Sequence, residues 1–232
     1  MIRQGAIIAA GEGSRLRRDG LTVHKPMVPV AGTPLVEHAV RNFLAAGIRS
    51  LVIILNEEET DCAGFLRTRF GESASLDILV KTTPSSLASF REVLGRSGPG
   101  PTLVSTVDAF CPPEDFVAFV RKAERLPEEA LVLGVTPFVD DEKPLWVGLG
   151  PEGRVLRVGG PAGDAVTAGI YVVPEGVRRL EPDRELGRLR DFLGWLAEGR
   201  VPVFGVTIEK VVDVDRAADL AEAEALARRG TP

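Results

Sequence analysis

Apolar positions fall along this chain in two kinds of block. Short runs at residues 6–10, 51–55, 76–80, 102–107 and 131–135 have the length and branched content of strands buried on both faces. Between them the period changes to that of a helix. Leu35, Val36, Ala39, Val40, Phe43 and Leu44 form one stripe, with Thr33 expected as its N-cap, Pro34 at the first helical position and Gly47 as its stop. Residues 85–94 read as a second helix, and Phe116, Val117, Phe119 and Val120 mark a third. Doubly buried strands separated by helices predict parallel pairing, with ligand beyond the carboxyl ends of the strands. The second half changes character. Residues 145–149 and 155–158 flank the turn Gly150-Pro151-Glu152-Gly153 and predict a hairpin. A longer strand follows at 166–173, a helix at 189–196, a strand at 201–207, and an Ala-, Leu- and Glu-rich helix at 217–229. The Gly- and Pro-rich stretches 95–101 and 159–163 read as mobile surface segments, and no internal repeat interrupts the pattern.

Composition narrows the class. A chain of 232 residues with 44% hydrophobic content has enough apolar material for one sizeable core, so a single domain over residues 1–232 is expected. The formal net charge of -5 argues against general affinity for nucleic-acid backbones, which takes an excess of Lys and Arg. Cys62 and Cys111 are far apart and lack ligand spacing, which points to idle thiols rather than zinc or a disulfide scaffold. No apolar run approaches the roughly 18 residues of a membrane span, and no secretory start is present, so a cytoplasmic location is expected.

The chemistry begins where the first strand ends. Residues 6–10 run directly into Gly11-Glu12-Gly13-Ser14-Arg15-Leu16, and Lys25-Pro26 follows. Glycines let the backbone turn its N–H groups onto an anion, and Arg15 and Lys25 add charge that glycine cannot supply, so the segment is equipped to hold a polyphosphate. Two better-known glycine loops do not fit. A P-loop needs Gly-Lys-Ser/Thr, which is absent here, and a dinucleotide loop needs a small residue where Leu16 stands and an acidic end to the second strand, which closes on Asn56 instead.

Residues 9–16 together with Lys25-Pro26-Met27-Val28-Pro29-Val30-Ala31-Gly32-Thr33-Pro34-Leu35 resemble the signature of the nucleotidyltransferases that make nucleotide-activated sugars and alcohols, the nucleotide-sugar pyrophosphorylases. The resemblance implies a Rossmann-like three-layer α/β sandwich with a mostly parallel mixed sheet, the GT-A-like nucleotidyltransferase fold. It also implies magnesium-dependent transfer of a nucleoside monophosphate from an NTP to a phosphorylated sugar or alcohol, of phosphocholine or inositol phosphate type, with release of pyrophosphate. Ala9, Ala10, Gly11, Glu12, Gly13, Ser14, Arg15 and Lys25 would then hold the nucleotide, with Arg15 and Lys25 counted among the catalytic residues. His24 stands where the family usually has proline and reads as a loop residue.

Transfer between phosphates also calls for metal ligands. Magnesium takes a few carboxylates plus phosphate oxygens, so two aspartates at strand ends suffice. Asp108 ends the strand 103–107, where the family usually has an aspartate. Asp213 lies in Val211-Val212-Asp213-Val214-Asp215, which resembles the family's late acidic motif. Both are expected as catalytic metal ligands. Asp215 is open between metal ligand and cap of the last helix, and Asp219 reads as a first-turn residue favoured by the helix dipole. Ser85 and Ser86, with Thr82 and Thr83, stand where the family touches the nucleobase, and an N-cap cluster around Pro84 explains them equally well. Lys210 could bind acceptor phosphate or neutralise the acidic pair. Glu142-Lys143-Pro144 resembles a sugar-contacting tripeptide of the family but precedes the hairpin instead of residues 166–173, so Lys143 reads as a turn residue. Thr167-Ala168-Gly169-Ile170-Tyr171 resembles the acceptor-pocket strand, with Tyr171 packed in the core. A molybdopterin-type nucleotidyltransferase and a glycosyltransferase using Asp213-Val214-Asp215 are the alternatives. A homodimer is left open, and the absence of a hexapeptide-repeat segment suggests a catalytic domain alone.

Overall fold

The computed structural model describes residues 1–139 and 143–229; Glu142 of the tripeptide above lies outside the described residues. In chain order the elements are β1 (Gln4–Ala9), α1 (Ser14–Arg18), β2 (Pro29–Val30), β3 (Thr33–Pro34), α2 (Leu35–Ala45), β4 (Ser50–Leu55), α3 (Thr60–Phe70), β5 (Ser75–Val80), α4 (Ser86–Arg96), β6 (Thr102–Thr106), β7 (Ala109–Phe110) and α5 (Pro113–Ala123). There follow β8 (Leu131–Thr136), β9 (Trp146–Leu149), β10 (Val155–Val158), β11 (Ala165–Val173), α6 (Leu189–Ala197), β12 (Val203–Thr207), β13 (Val212–Asp213) and α7 (Ala217–Arg229).

The main sheet runs β10-β9-β11-β6-β1-β4-β5, with β8 branching from β11 and β12 pairing with β8. β1, β4, β5 and β6 are parallel as expected; β1, β4 and β6 are buried on both faces, whereas β5, at the sheet edge, leaves Ser75 and Asp77 exposed, against the expectation of burial. β11 is antiparallel to β6, β8 and β9, so the sheet is mixed. β8 departs from the expected arrangement: it runs in the same direction as the parallel set and pairs parallel with β12, but β11, antiparallel to both, separates it from β6. An apolar run specifies burial and not its neighbour.

Strand side chains alternate between two cores. Ile7, Ala9, Ile53 and Leu55 pack with Phe43 of α2, Leu66 of α3, Phe116 of α5 and Leu226 of α7. Ala6, Ile8, Val52 and Ile54 pack on the other face with Phe90 of α4 and Phe192 of α6. The result is the expected three-layer α/β/α sandwich.

Local expectations change at residues 33, 95–101 and 159–163, and α3 is a helix for which the sequence pattern gave no sign. Thr33 does not cap α2: Thr33–Pro34 pairs with Pro29–Val30, and α2 starts at Leu35 without a side-chain cap. The helix α3 is not marked by a clear apolar stripe; its buried side is only Cys62, Ala63, Leu66 and Phe70. Residues 95–101 are pinned rather than loose. Arg178 donates to the carbonyls of Ser97, Gly98 and Gly100 and to Thr102 Oγ1, at 2.6–3.0 Å, and Gln4 Nε2 donates to Gly98 at 2.7 Å. The 159–163 segment is likewise bonded, with Arg157 donating to the Ala162 carbonyl at 2.6 Å and Gly159 N–H to that of Trp146 at 2.7 Å.

Candidate active site

The glycine loop leaves β1, Asn56 follows β4, residues 81–85 follow β5, and Asp108 follows β6, so all four lie at the carboxyl edge of the parallel strands. Gly13 sits in the left-handed region at φ 59°, and a Cβ there would come within 3.0 Å of Lys25 Cβ. Glycine is therefore required twice over, by conformation and by the approach of Lys25. Gly11, Glu12 and Ser14 are exposed, leaving the loop open to a ligand. Ala9 and Ala10 are buried beneath it. Half-buried His24 precedes the short turn that carries Lys25 and caps it with no side-chain bond.

Lys25 is 7% exposed and stands among three carboxylates. Its Nζ lies 2.7 Å from Asp108 Oδ2 and 2.7 Å from Asp215 Oδ1. Burial alone would lower the pKa of this ammonium, but Asp108, Asp213 and Asp215 outweigh it and hold the pKa above the ordinary lysine value. For Asp108 burial likewise pushes toward the neutral acid. The charge and hydrogen bond of Lys25, with a bond from Thr106, reverse this and hold the carboxyl below its usual range. The other oxygen of Asp215 accepts from Arg15 Nη1. Two cations and three carboxylates thus converge from positions up to 200 residues apart in sequence.

A small antiparallel pairing brings the acidic residues together. Asp213 of β13 is opposite Ala109 of β7, Val212 is opposite Phe110, and Val214 N–H donates to the Asp108 carbonyl at 3.0 Å. Asp108 and Asp213 face one cavity of about 230 Å³. Its walls also include Thr106, Gly169, Tyr171, Leu189 and Arg190. Gly169 has φ 71°, in the irregular stretch of β11, and a Cβ there would meet Thr106 Oγ1 at 2.6 Å. Tyr171 is buried, as expected, and burial first, then Asp108 and Asp213, raises its phenol pKa, so the ring is a neutral wall. Arg190 is the residue that the sequence did not single out. In the run Arg188-Leu189-Arg190-Asp191 it resembles a solvated helix start, yet it lines the cavity and donates to the Lys143 carbonyl at 2.9 Å.

The remaining expected residues separate by partner. Ser85 caps α4, its Oγ accepting from Ala88 N–H at 3.2 Å, whereas Ser86 reaches the cavity wall and accepts from Leu189 N–H at 3.1 Å. Asp215 does not cap α7 with its side chain. That end is held by Asp219 Oδ2, which accepts from the N–H groups of Asp215 and Arg216 at 2.8 and 2.6 Å, and by Asp19 Oδ2 on Ala217 N–H at 3.0 Å. Lys210 pairs with Glu222 and lies 4.2 Å from the Phe138 ring centroid. Cys62 and Cys111 are free and buried, and burial pushes the Cys62 thiol up to about 12.

Among the described residues no group of three or more His, Cys, Asp or Glu could by itself hold a metal ion. Paired Asp108 and Asp213 still suit magnesium, a hard cation that uses one or two carboxylates and completes its sphere with phosphate oxygens and water. Also among the described residues, no helix is long and apolar enough to cross a membrane.

The sequence profile of the MobA-like NTP transferase domain matches residues 5–148. A mannose-1-phosphate guanyltransferase of Gibberella zeae is 31% identical over 124 residues, covering 50% of this chain and 34% of that protein. A UTP–glucose-1-phosphate uridylyltransferase of Escherichia coli K12 is 25% identical over 141 residues, 61% of this chain and 40% of that protein. The chain thus spans little more than a third of the length of these relatives. The solved inositol-1-phosphate CTP transferase from T. maritima superposes with a TM-score of 0.84, covering 100% of this chain and 98% of that one at 20% identity, which is a likeness of fold.

Proposed function

The chain belongs to the MobA-like NTP transferase domain family, and on that footing we propose that it moves a nucleoside monophosphate from an NTP to a phosphorylated small-molecule acceptor and releases pyrophosphate. The observation that carries the reading is the junction of glycine loop, Arg15, Lys25, Asp108 and Asp213 at one sheet edge beside a cavity. The acceptor class is a sugar phosphate or a phosphorylated alcohol of the phosphocholine or inositol phosphate type.

Backbone N–H groups of residues 11–14 and the Arg15 guanidinium hold the β- and γ-phosphates. Lys25 stays charged and offsets the negative charge that gathers at the α-phosphate. Asp108 and Asp213 would hold magnesium, which when bound supplies neutralisation of the phosphate oxygens. Ser86 and the residues that follow β4 and β5, half-buried Asn56 and exposed Thr82, border the nucleoside. Arg190, which lines the same cavity as the two aspartates, grips the acceptor phosphate and orients one oxygen toward the α-phosphorus. That oxygen forms the new P–O bond while the bond to pyrophosphate breaks. The acceptor monoester is already ionised near neutral pH, so the work is positioning and electrostatics and no protein base is required.

The test offers each of the four NTPs with a panel of phosphorylated sugars and alcohols and follows pyrophosphate. Turnover with one pair is expected, and Asp108→Ala should lower it about a hundredfold or more. A near-wild-type rate for that variant at saturating magnesium defeats the metal assignment. Arg190→Ala should raise the acceptor KM about tenfold while leaving the NTP KM in place. Release of free NDP from a nucleotide-sugar, without pyrophosphate from an NTP, would favour the glycosyltransferase alternative.

A further inference from the structure

The cavity that Asp108 and Asp213 face has a neighbour. Leu145 and Arg190 line both it and a second cavity of about 530 Å³, so these two side chains form the divide between them. The second cavity lies between the β9–β10 hairpin and α6, with Leu156, Leu186 and Trp195 as an apolar wall. Arg157, Arg184 and Arg190 reach it against Asp191 and Glu198, which leaves one positive charge in excess. The pairing decides where that excess sits. Glu198 accepts from Arg184 at 2.6 Å and from Arg200 at 2.7 Å, and Asp191 accepts from the Arg188 N–H at 3.2 Å in the capping box of α6, so both carboxylates are already engaged. Among the described residues, Arg157 and Arg190 bond only carbonyls, those of Ala162 at 2.6 Å and Lys143 at 2.9 Å. A carbonyl takes a hydrogen bond and cancels no charge. The Arg157 guanidinium is also held in place. Gly159 and Gly160 turn at φ 98° and 93°, and a Cβ at residue 160 would come within 2.9 Å of Arg157 Nη1.

We infer that the second cavity takes a second anionic group of the acceptor, a carboxylate or a further phosphate, and that Arg157 is the residue that selects for it. This rests on the nucleotidyltransferase reading, in which Arg190 is engaged by the acceptor phosphate. Arg157 is then the cation left for a group carried past the divide. A guanidinium fork matches one edge of a carboxylate or a phosphate with two parallel bonds, and the apolar wall beside it shields the pair from water. A trimethylammonium head would meet the opposite situation. Two uncompensated guanidiniums would repel it, while Asp191 and Glu198 are held by other partners. The acceptors of the proposed class therefore separate by charge: acids first, neutral sugars and polyols next, phosphocholine last.

The experiment uses the full chain, each NTP in turn and pyrophosphate release, with acceptors that differ by one group. Glucose 1-phosphate stands beside glucuronic acid 1-phosphate and glucose 1,6-bisphosphate, glycerol 3-phosphate beside 3-phosphoglycerate, and phosphocholine is the cationic member. The ratio of kcat/KM for a doubly anionic acceptor to that for its neutral counterpart should be about tenfold or more, carried by KM, and Arg157→Gln should bring it close to one. The carboxylate and bisphosphate arms decide which anion the site takes. Equal or better use of the neutral members or of phosphocholine overturns the inference, as does a ratio that Arg157→Gln leaves intact. If Arg157→Gln does not fold, the wild-type protein still decides. Rising salt should lower the ratio, because screening of the acceptor phosphate is common to both members and only the second ion pair differs, and a ratio indifferent to salt overturns the inference. Turnover of no acceptor with any NTP would sink the nucleotidyltransferase reading and the inference with it, whereas turnover without preference for the doubly anionic members sinks the inference alone.

Discussion

Lys25 is charged in a place where burial by itself would favour the neutral amine, and its three carboxylate neighbours reverse the balance. The converse also holds, because Asp108 keeps its charge through Lys25. Taking away one partner of such a group leaves uncompensated charge. Lys25→Met should cost about 3–5 kcal/mol of stability, read as a lower denaturation midpoint, and abolish turnover. A variant with wild-type stability would show that the carboxylates repel little and that water already screens them. Single residues were legible in proportion to their local constraint. Gly13 and Lys25 stand in a continuous signature, and the reason for both is partly local. Asp215 was left between cap and ligand because its partners, Arg15 and Lys25, are 200 and 190 residues away. Arg190 carried no local sign at all, since a cation at a helix start is ordinary until a cavity lies beside it.

Among the elements, those with strong periodicity were legible and those without were not. The stripe of α2 and the apolar runs of β1, β4 and β6 follow from the pattern alone. The helix α3 has glycine, threonine and charged residues through its length, so the packing of Leu66 and Phe70 against the sheet decides it. Its start carries a further consequence. Glu59, only 3% exposed, accepts from the Asn56 N–H at 3.0 Å, and burial first, assisted by Glu58 and opposed by Asn56 and Arg17, pushes its carboxyl up to about 7. A carboxyl whose folded pKa is raised stabilises fully below its unfolded pKa, and that contribution is lost as pH rises from about 4.5 through about 7. Glu59→Gln should remove this slope. Denaturant titrations at pH 4.5 and pH 8 should show wild type losing roughly 3 kcal/mol relative to the variant. Parallel pH profiles would show that the site is better hydrated than its burial suggests. The Gly- and Pro-rich 95–101 stretch teaches the same lesson from the other side: composition predicted looseness, and the distant Arg178 and Gln4 supply the bonds that prevent it.

At the scale of the molecule, parallel strands deliver four loop starts to one edge, while β13 brings Asp213 back to Asp108 from the far end of the chain. A site assembled from separate layers should report ligand binding as global stability. With magnesium and the cognate NTP at a hundred times Kd, stability should rise by about 2.7 kcal/mol, seen as a higher melting temperature, and EDTA should remove most of the gain. A shift indifferent to EDTA would count against a metal on Asp108 and Asp213. The three-layer plan and the parallel core were readable because alternation between two buried faces is written into each strand. The attachment of β8 to β11 and β12 was not, because strand order depends on which edge each crossover reaches.

What the sequence determined by itself is what covalent neighbours determine: strand and helix periods, the left-handed turn at Gly13, and the cations placed just beyond it. Tertiary structure decided which charges meet. Lys25 and Asp108 hold their charges, and Asp213, Asp215 and Arg15 come to stand beside them, only when β7 pairs with β13 and the ammonium is buried. Electrostatic interaction depends on distance through space and on burial, and neither is a property of position along the chain.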